Sequence, residues 1–289
     1  MRERMRTVTR ARRGLSVMEL IVGMVILGII GMAITRVLVS QARYFDHQKT
    51  ANLARSVSRG PLNRVVSDLR MVEAQGGIVA ASNSSILARV PFAIGVVCAM
   101  APDSSGTHVS LLPVDSAMYA TAGFSGYAWR DGQGIYAYVE SGPPSITAGD
   151  PNICTGANVQ TLTASNAKVI KISPRLDTRA SVGTAVLLFQ RLQYQFKTST
   201  SVPGSLGLFR TVVASGLEEE LSAPFNNDAK FRFFIKNDKN SQGSAPASLG
   251  TLRGILLELN GESEYAPSGG SAKQRANFRT AVFFKNRLD

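Results

Sequence analysis

One carboxylate, Glu19, sits near the start of an otherwise apolar run, LSVMELIVGMVILGIIGMAI, that follows an arginine-rich leader. A charged side chain inside a bilayer helix costs roughly 2.5 to 3.5 kcal/mol on insertion scales, so its presence there calls for a partner. Gly14 stands at the junction of leader and run, with Arg13 before it and Leu15 after it, the arrangement of a processing point. A cut after Gly14 makes Leu15 the first residue and leaves its free amine in the same apolar layer as Glu19. When helices stack, the Glu19 carboxylate of one copy can pair with the amine of the next. Each charge then offsets the other's desolvation, and the buried pair fixes axial register.

Other reactive residue types are sparse. His47 and His108 are the two histidines, and neither stands at a metal-ligand spacing from a Cys or a carboxylate. No nucleophile elbow supports a Ser–His–Asp site, so surface and packing roles are expected for both. Asp238-x-Asn240-x-Gln242-Gly243 echoes half of a calcium loop, but Leu249 occupies the place of the bidentate Glu. That excludes the EF-hand form and leaves only a looser site. Glu218-Glu219-Glu220 reads as a solvated acidic patch, and no phosphate-cradling loop is present. No catalytic residue, metal or cofactor is expected, and the chain reads as a non-enzymatic part. Cys98 and Cys154 are the only cysteines. Outside the cytoplasm they could close a long loop worth about 3 to 4 kcal/mol. A buried free thiol in the apolar run IGVVCAM fits Cys98 equally well, and the sequence leaves the two open.

The elements that must position these residues follow from hydropathy and punctuation. Leu15 to Ile34 is about 20 residues, or about 30 Å of helix, the thickness of a bilayer's hydrocarbon core. The leader, residues 1–14, holds six Arg and one Glu, hence +5 of the formal +12, leaving +7 beyond it. Positive charge before the span predicts a cytoplasmic N-terminus and a body outside the cytoplasm. An ordinary secretory signal would not favour Glu inside its apolar run. A plain anchor with Glu19 snorkelling to the headgroups gives no reason for Gly14 at the junction.

Past the span, apolar residues recur at steps of three and four: Val37, Leu38, Tyr44, Phe45, Leu53, Val57, Leu62, Val65, Leu69 and Val72. This predicts an amphipathic continuation over residues 40–75, broken or kinked at Gly60-Pro61 and stopped at Gly76-Gly77. Residues 15–39 form the membrane or filament-core half of the same helix. Residues 76–289 form one β-rich body. Phe124–Trp129 and Ile135–Val139 flank Asp131-Gly132-Gln133-Gly134 as a hairpin. Val186–Lys197 ends in alternation and reads as a half-buried antiparallel strand. Phe231–Ile235, Leu252–Leu259 and Phe278–Phe284 are further strands, with loops at Ser141–Asp150, Thr198–Ser205 and Asn237–Ser248. The fold class is α+β: a long N-terminal helix packed on an antiparallel sheet.

Gly14, Leu15 and Glu19 together resemble the signal sequence of type IV prepilins and of the pseudopilins of type II secretion. In those families a membrane prepilin peptidase cuts after the Gly and N-methylates the new first residue. The resemblance implies cleavage between Gly14 and Leu15, a methylated Leu15 and an assembly role for Glu19. Two details depart from the pattern: Leu stands where Phe is usual, and Arg36 stands where a kinking Pro is common. The segments ARSVSRGPLNRVVSDLRMVEAQGG (with Asp68-Leu69-Arg70), LQYQFK, LFRTVV (with Arg210) and NFRTAVFFKN resemble the larger minor subunits, the PilW type of pilus protein and the J-type pseudopilin. The implied fold is pilin-like, and the implied partners are prepilin peptidase, other pilins or pseudopilins, and the cytoplasmic membrane. The implied role is a subunit that primes assembly or sits at the tip of a fibre.

A second function class is DNA binding during uptake. From Lys230 onward Lys and Arg outnumber Asp and Glu and interleave with Phe231, Phe233, Phe234, Phe278, Phe283 and Phe284. Half-buried strands produce the same alternation.

Overall fold

The computed structural model describes residues 16–100, 105–112, 114–115, 123–140, 144–156, 168–236 and 238–284. One helix, α1 (Val17–Arg70), runs for 54 residues, about 80 Å. Thirteen strands follow among the described residues: β1 (Ile78–Ala81), β2 (Ser85–Met100), β3 (Thr107–Leu111), β4 (Gly126–Arg130), β5 (Tyr136–Val139), β6 (Ser145–Ala148), β7 (Val169–Ser173), β8 (Ala185–Thr198), β9 (Leu206–Val212), β10 (Leu217–Phe225), β11 (Lys230–Ile235), β12 (Leu252–Glu262) and β13 (Arg275–Phe283). They form one antiparallel sheet in the order β11-β12-β10-β9-β8-β2-β3-β7-β6, with β1 on β2, β13 on β12 and the β4–β5 hairpin on β8. The protein is therefore α+β, with an apolar N-terminal helix and a large antiparallel sheet.

β8 is the spine of the sheet, and its sequence shows why. Its first half, Val186–Phe189, is continuously apolar and buried, held between β2 and the β4 strand. Its second half alternates, with Leu192, Tyr194 and Phe196 buried and Arg191, Gln193, Gln195 and Lys197 on the wetter face. The two halves serve two cores. Leu192, Tyr194 and Phe196 pack with Val65 and Leu69 of the helix end and Val72 just beyond it, while Val186 and Leu188 pack with Tyr127, Trp129, Ile170 and Ile172.

β2 crosses both cores despite Pro91. Its partner on one side changes from β1 at Ile86–Ala88 to β3 at Gly95–Met100, so Pro91 falls where that side has no ladder bond to lose. On the other side a register shift between Pro91 and Ala93 accommodates it against β8.

The helix is continuous through Gly60-Pro61, contrary to the expected break. Pro61 has no N–H for the Val57 carbonyl four residues back, and the Ser222 hydroxyl of β10 donates to that carbonyl instead, at 2.9 Å. The orphaned acceptor thereby becomes a helix–sheet contact. The helix also ends earlier than expected, at Arg70 rather than near Gly76, because Val72 and Ala74 turn inward to join the core.

Docking uses small side chains. Thr50, Ala54, Ser58 and Pro61 are buried at steps of three and four, followed by Val65, Asp68 and Leu69. The Ser58 hydroxyl donates to the Leu259 carbonyl (3.2 Å) and accepts from the Gly261 N–H (3.1 Å), filling the gap in β12 pairing between its β11 and β10 partners. A Cβ on Gly261 would collide with the Ala54 carbonyl and sit 2.6 Å from Ser58 Oγ. Gly261→Ala is expected to destabilise the protein by about 1–3 kcal/mol by lifting the helix off β12. Denaturant unfolding of the purified chain measures it, and a change below about 0.5 kcal/mol would mean that the helix is not seated there.

Segment 141–150 is not wholly loop, since β6 pairs with β7 from Ser145 to Ala148. β6 is a short, largely exposed edge strand, and its Ser-Ile-Thr-Ala run carries too weak an alternation to stand out between Pro144 and Gly149.

Candidate assembly site

Among the described residues, the first half of α1 has no buried side chain. An 18-residue window within the helix has a mean hydropathy of 2.5 and no buried residue, so this element is long and apolar enough to cross a membrane. Met18, Leu27 and Phe45 are each about 70% exposed, at 72%, 68% and 68%. Ser16 caps the start: its hydroxyl accepts from the Glu19 N–H at 3.2 Å, and Glu19 occupies the third position of the first turn. Ser16 and Glu19 thus have the spacing of a capping box, and a carboxylate there also complements the helix dipole. This is a local role for Glu19 that hydropathy alone does not suggest. Gly14 and Leu15, the expected processing pair, lie outside the described residues.

The second half is also clamped to the body by polar contacts at its two ends. At the far end Asp68 Oδ2 accepts from the Tyr194 hydroxyl of β8 and lies 3.7 Å from Arg210 Nε of β9, with Arg64 Nε at 3.6 Å one turn back. Asp68 and Arg210 side chains are only 10% and 11% exposed, so the ion pair is shielded from water. Burial, and then the Asp68 charge, push the Tyr194 hydroxyl far above its ordinary pKa, keeping it a donor. At the near end Asp46 Oδ2 accepts from the Ser268 N–H at 2.6 Å, and that bond holds its carboxyl below the usual range.

Beyond the helix, Arg89 of β2 forks onto Glu140, with Nε–Oε1 at 2.8 Å and Nη2–Oε2 at 2.7 Å. Its guanidinium also donates to the Gly76 carbonyl and lies 4.6 Å above the Tyr138 ring, whose hydroxyl donates to the Gln75 carbonyl. The turn leaving α1 is therefore tied to β2 and the β5 end. The Arg89 hydrogen bonds hold Glu140 below its ordinary value of 4.5 against the opposing effect of burial, with help from the Arg89 and Arg191 charges. A depressed folded-state pKa contributes stability that is present above the unfolded value and lost as pH falls through the folded one. Glu140→Gln should accordingly flatten the fall in stability below about pH 4.5. Unfolding midpoints measured from pH 6 to pH 3 test this, and parallel curves for the two proteins would contradict it.

The remaining reactive residues go elsewhere. His47 is exposed on α1, and His108 is buried in β3. Cys98 of β2 and Cys154 of a short 3₁₀ turn form a disulfide with Cα atoms 5.1 Å apart, packed beside Val169. Among the described residues no group of three His, Cys, Asp or Glu is placed to hold a metal. Asp238 closes its own turn, accepting from the Asn240 N–H (2.9 Å) and Gln242 Nε2 (3.1 Å). Two of the acidic trio have partners: Glu218 pairs with Lys197 Nζ at 2.6 Å, and Glu220 accepts from Ser199 and from the Ser201 N–H to cap the 199–201 turn, while Glu219 is exposed as expected of a solvated patch. A groove of about 570 Å3 beside the helix end is lined by Arg64, Asp68, Glu73, Phe92, Ile94 and Leu187 among others, with no Ser, Cys, His or Lys among its described lining residues.

The basic, Phe-rich stretch separates into two faces. Phe231, Phe233 and Phe284 are buried and Phe278 packs against the same core, while Phe234 and Phe283 pair on the outer face at 4.9 Å. Lys230 and Arg279 flank Glu258 at 3.8 and 3.2 Å, Arg275 pairs with Glu262 at 2.8 Å, and Arg232 donates to Ser241.

Comparison of the chain with protein-family models, with curated proteins and with solved structures gave no match. What the site can do therefore rests on its geometry: an uncovered apolar half-helix carrying one carboxylate, joined to a sheet body.

Proposed function

We propose that the protein is a non-enzymatic minor subunit of a type IV pilus or of a type II secretion pseudopilus. Prepilin peptidase cuts after Gly14 and methylates Leu15, and the amphipathic second half of α1 fixes a pilin-like body to the first half. The chain then waits in the cytoplasmic membrane as a single-pass protein with its N-terminus inside and its body outside. Assembly transfers residues 15–39 from lipid to a bundle of like helices, where Glu19 meets the Leu15 amine of a neighbour. The body makes lateral contacts, primes assembly or sits at the tip.

One observation carries this reading: a helix of 54 residues whose apolar half, with Glu19 in its first turn, is left uncovered while the other half is locked to the sheet. A soluble domain gains nothing from leaving so much apolar surface in water, whereas lipid or other helices would cover it. DNA binding has less to stand on, because four of the cations near the aromatic stretch, Lys230, Arg232, Arg275 and Arg279, already have carboxylate or hydroxyl partners.

Fractionation of cells tests the proposal. The chain should be found in the cytoplasmic membrane, with its body cleaved by protease added to spheroplasts, and also in fibres sheared from the surface. A body protected from external protease in intact spheroplasts would overturn it.

A further inference from the structure

Between residues 17 and 42 the helix carries two charged side chains, Glu19 and Arg36, both exposed and neither in an ion pair among the described residues. They bracket sixteen uncharged residues, Leu20–Thr35, and stand about 26 Å apart along the axis. That separation is close to the thickness of a hydrocarbon core, so in lipid each charge can reach its own headgroup layer. It also prevents the two from meeting within one chain. Once helices pack on one another without lipid, each needs a charge of opposite sign from elsewhere. Parallel copies shifted by the same distance, one in each axial direction, supply one charge each.

We propose that Arg36 is a second register charge: it pairs with Glu19 of another copy of this chain lying parallel and displaced by seventeen residues. Two copies inserted under the same charge bias run parallel. The facing surfaces then follow from helical spacing. Gly23 lies one turn beyond Glu19 on the same face, and Ser40 one turn beyond Arg36, so Gly23 of one copy faces Ser40 of the other. This rests on the reading of α1 as an assembly element. It is distinct from the Glu19–amine contact, which displaces neighbours by four residues, because a helical array offers each helix neighbours at several offsets.

Introduced thiols test it in the full chain, because Cys98 and Cys154 are bonded to each other. A Cβ at Gly23 meets nothing within 4 Å, so Gly23→Cys fits the helix. Cells with an active assembly system would co-express one chain with Gly23→Cys and one with Ser40→Cys, followed by oxidation in membranes and sheared fibres. The expected result is a 23–40 dimer that is lost when Arg36→Gln is placed in the Ser40→Cys chain. It should be retained when Arg36→Gln is placed in the Gly23→Cys chain, since that copy contributes Glu19 to the contact. Equal loss in both arrangements, or no 23–40 dimer at all, overturns the proposal. A parallel pairing of Gly23→Cys with Leu27→Cys reports the four-residue offset. Its presence without the 23–40 dimer removes only the Arg36 contact, and the absence of both removes the assembly reading too.

Discussion

Asp68→Ala is expected to cost about 3–5 kcal/mol, because it leaves Arg210 buried at 11% exposure without its carboxylate and the Tyr194 hydroxyl without its acceptor. The ion pair itself is not a large net gain. Taking two charges from water offsets most of their attraction, and the loss comes from stranding one of them. Asp68→Ala combined with Arg210→Leu should therefore recover part of the loss, with a coupling of about 1–3 kcal/mol. Denaturant unfolding of the purified chain in detergent, followed through Trp129 in the distal core and through helix content, measures all three proteins. A single-variant loss below about 1 kcal/mol would show that the clamp is peripheral. A larger loss in helix signal than in the Trp129 signal would place the damage at the helix–sheet contact, since Trp129 belongs to the other core.

Glu19→Gln and Glu19→Ala should both lower incorporation into fibres by at least about tenfold, the effect of losing about 1.4 kcal/mol per contact. Their comparison separates two roles that the geometry joins. As a helix cap, Glu19 is replaceable by Gln, which also suits the third position of a capping box. As a charge partner in an apolar layer it is not replaceable, because Gln cannot neutralise an ammonium group. Quantifying the chain in sheared fibres against the membrane fraction decides between them. Full incorporation of Glu19→Gln with failure of Glu19→Ala would reduce Glu19 to a capping residue.

Much of the framework was legible from pattern. The change within β8 from a continuous apolar run to alternation marks a strand buried first on two faces and then on one. The hairpin around Asp131-Gly132-Gln133-Gly134 and the three C-terminal strands also stand out by their turns and apolar residues. Pro91 hides β2, because a proline amid a strand-like run argues against pairing unless the partner strands change at that point. Three consecutive glutamates conceal β10: Glu218 is taken up by Lys197 and Glu220 by the 199–201 turn, while Glu219 stays exposed.

The docking surface was the least legible part. Hydropathy points to Tyr44, Phe45 and Leu53 as helix contacts, yet these are exposed and the sheet is met by Thr50, Ala54 and Ser58. Small and polar residues give no periodic signal, and Gly261 and Ser222, which receive them, look like ordinary strand positions. Asp68, Tyr194 and Arg210 each fall in a segment that resembles the minor-subunit pattern, but only the folded sheet brings the three together. At Gly60-Pro61 the local rule gave a break or kink because the acceptor's rescue by Ser222 comes from 165 residues further along the chain.

Intact mass and the N-terminal residue of the chain, purified from membranes of cells with an active prepilin peptidase, test the pilin reading most directly. A mature chain beginning at N-methylated Leu15 is the predicted result. A chain still carrying residues 1–14 would make α1 a plain membrane anchor, and a cut beyond Ile34 would make the body a secreted domain; either would contradict the role given to Glu19.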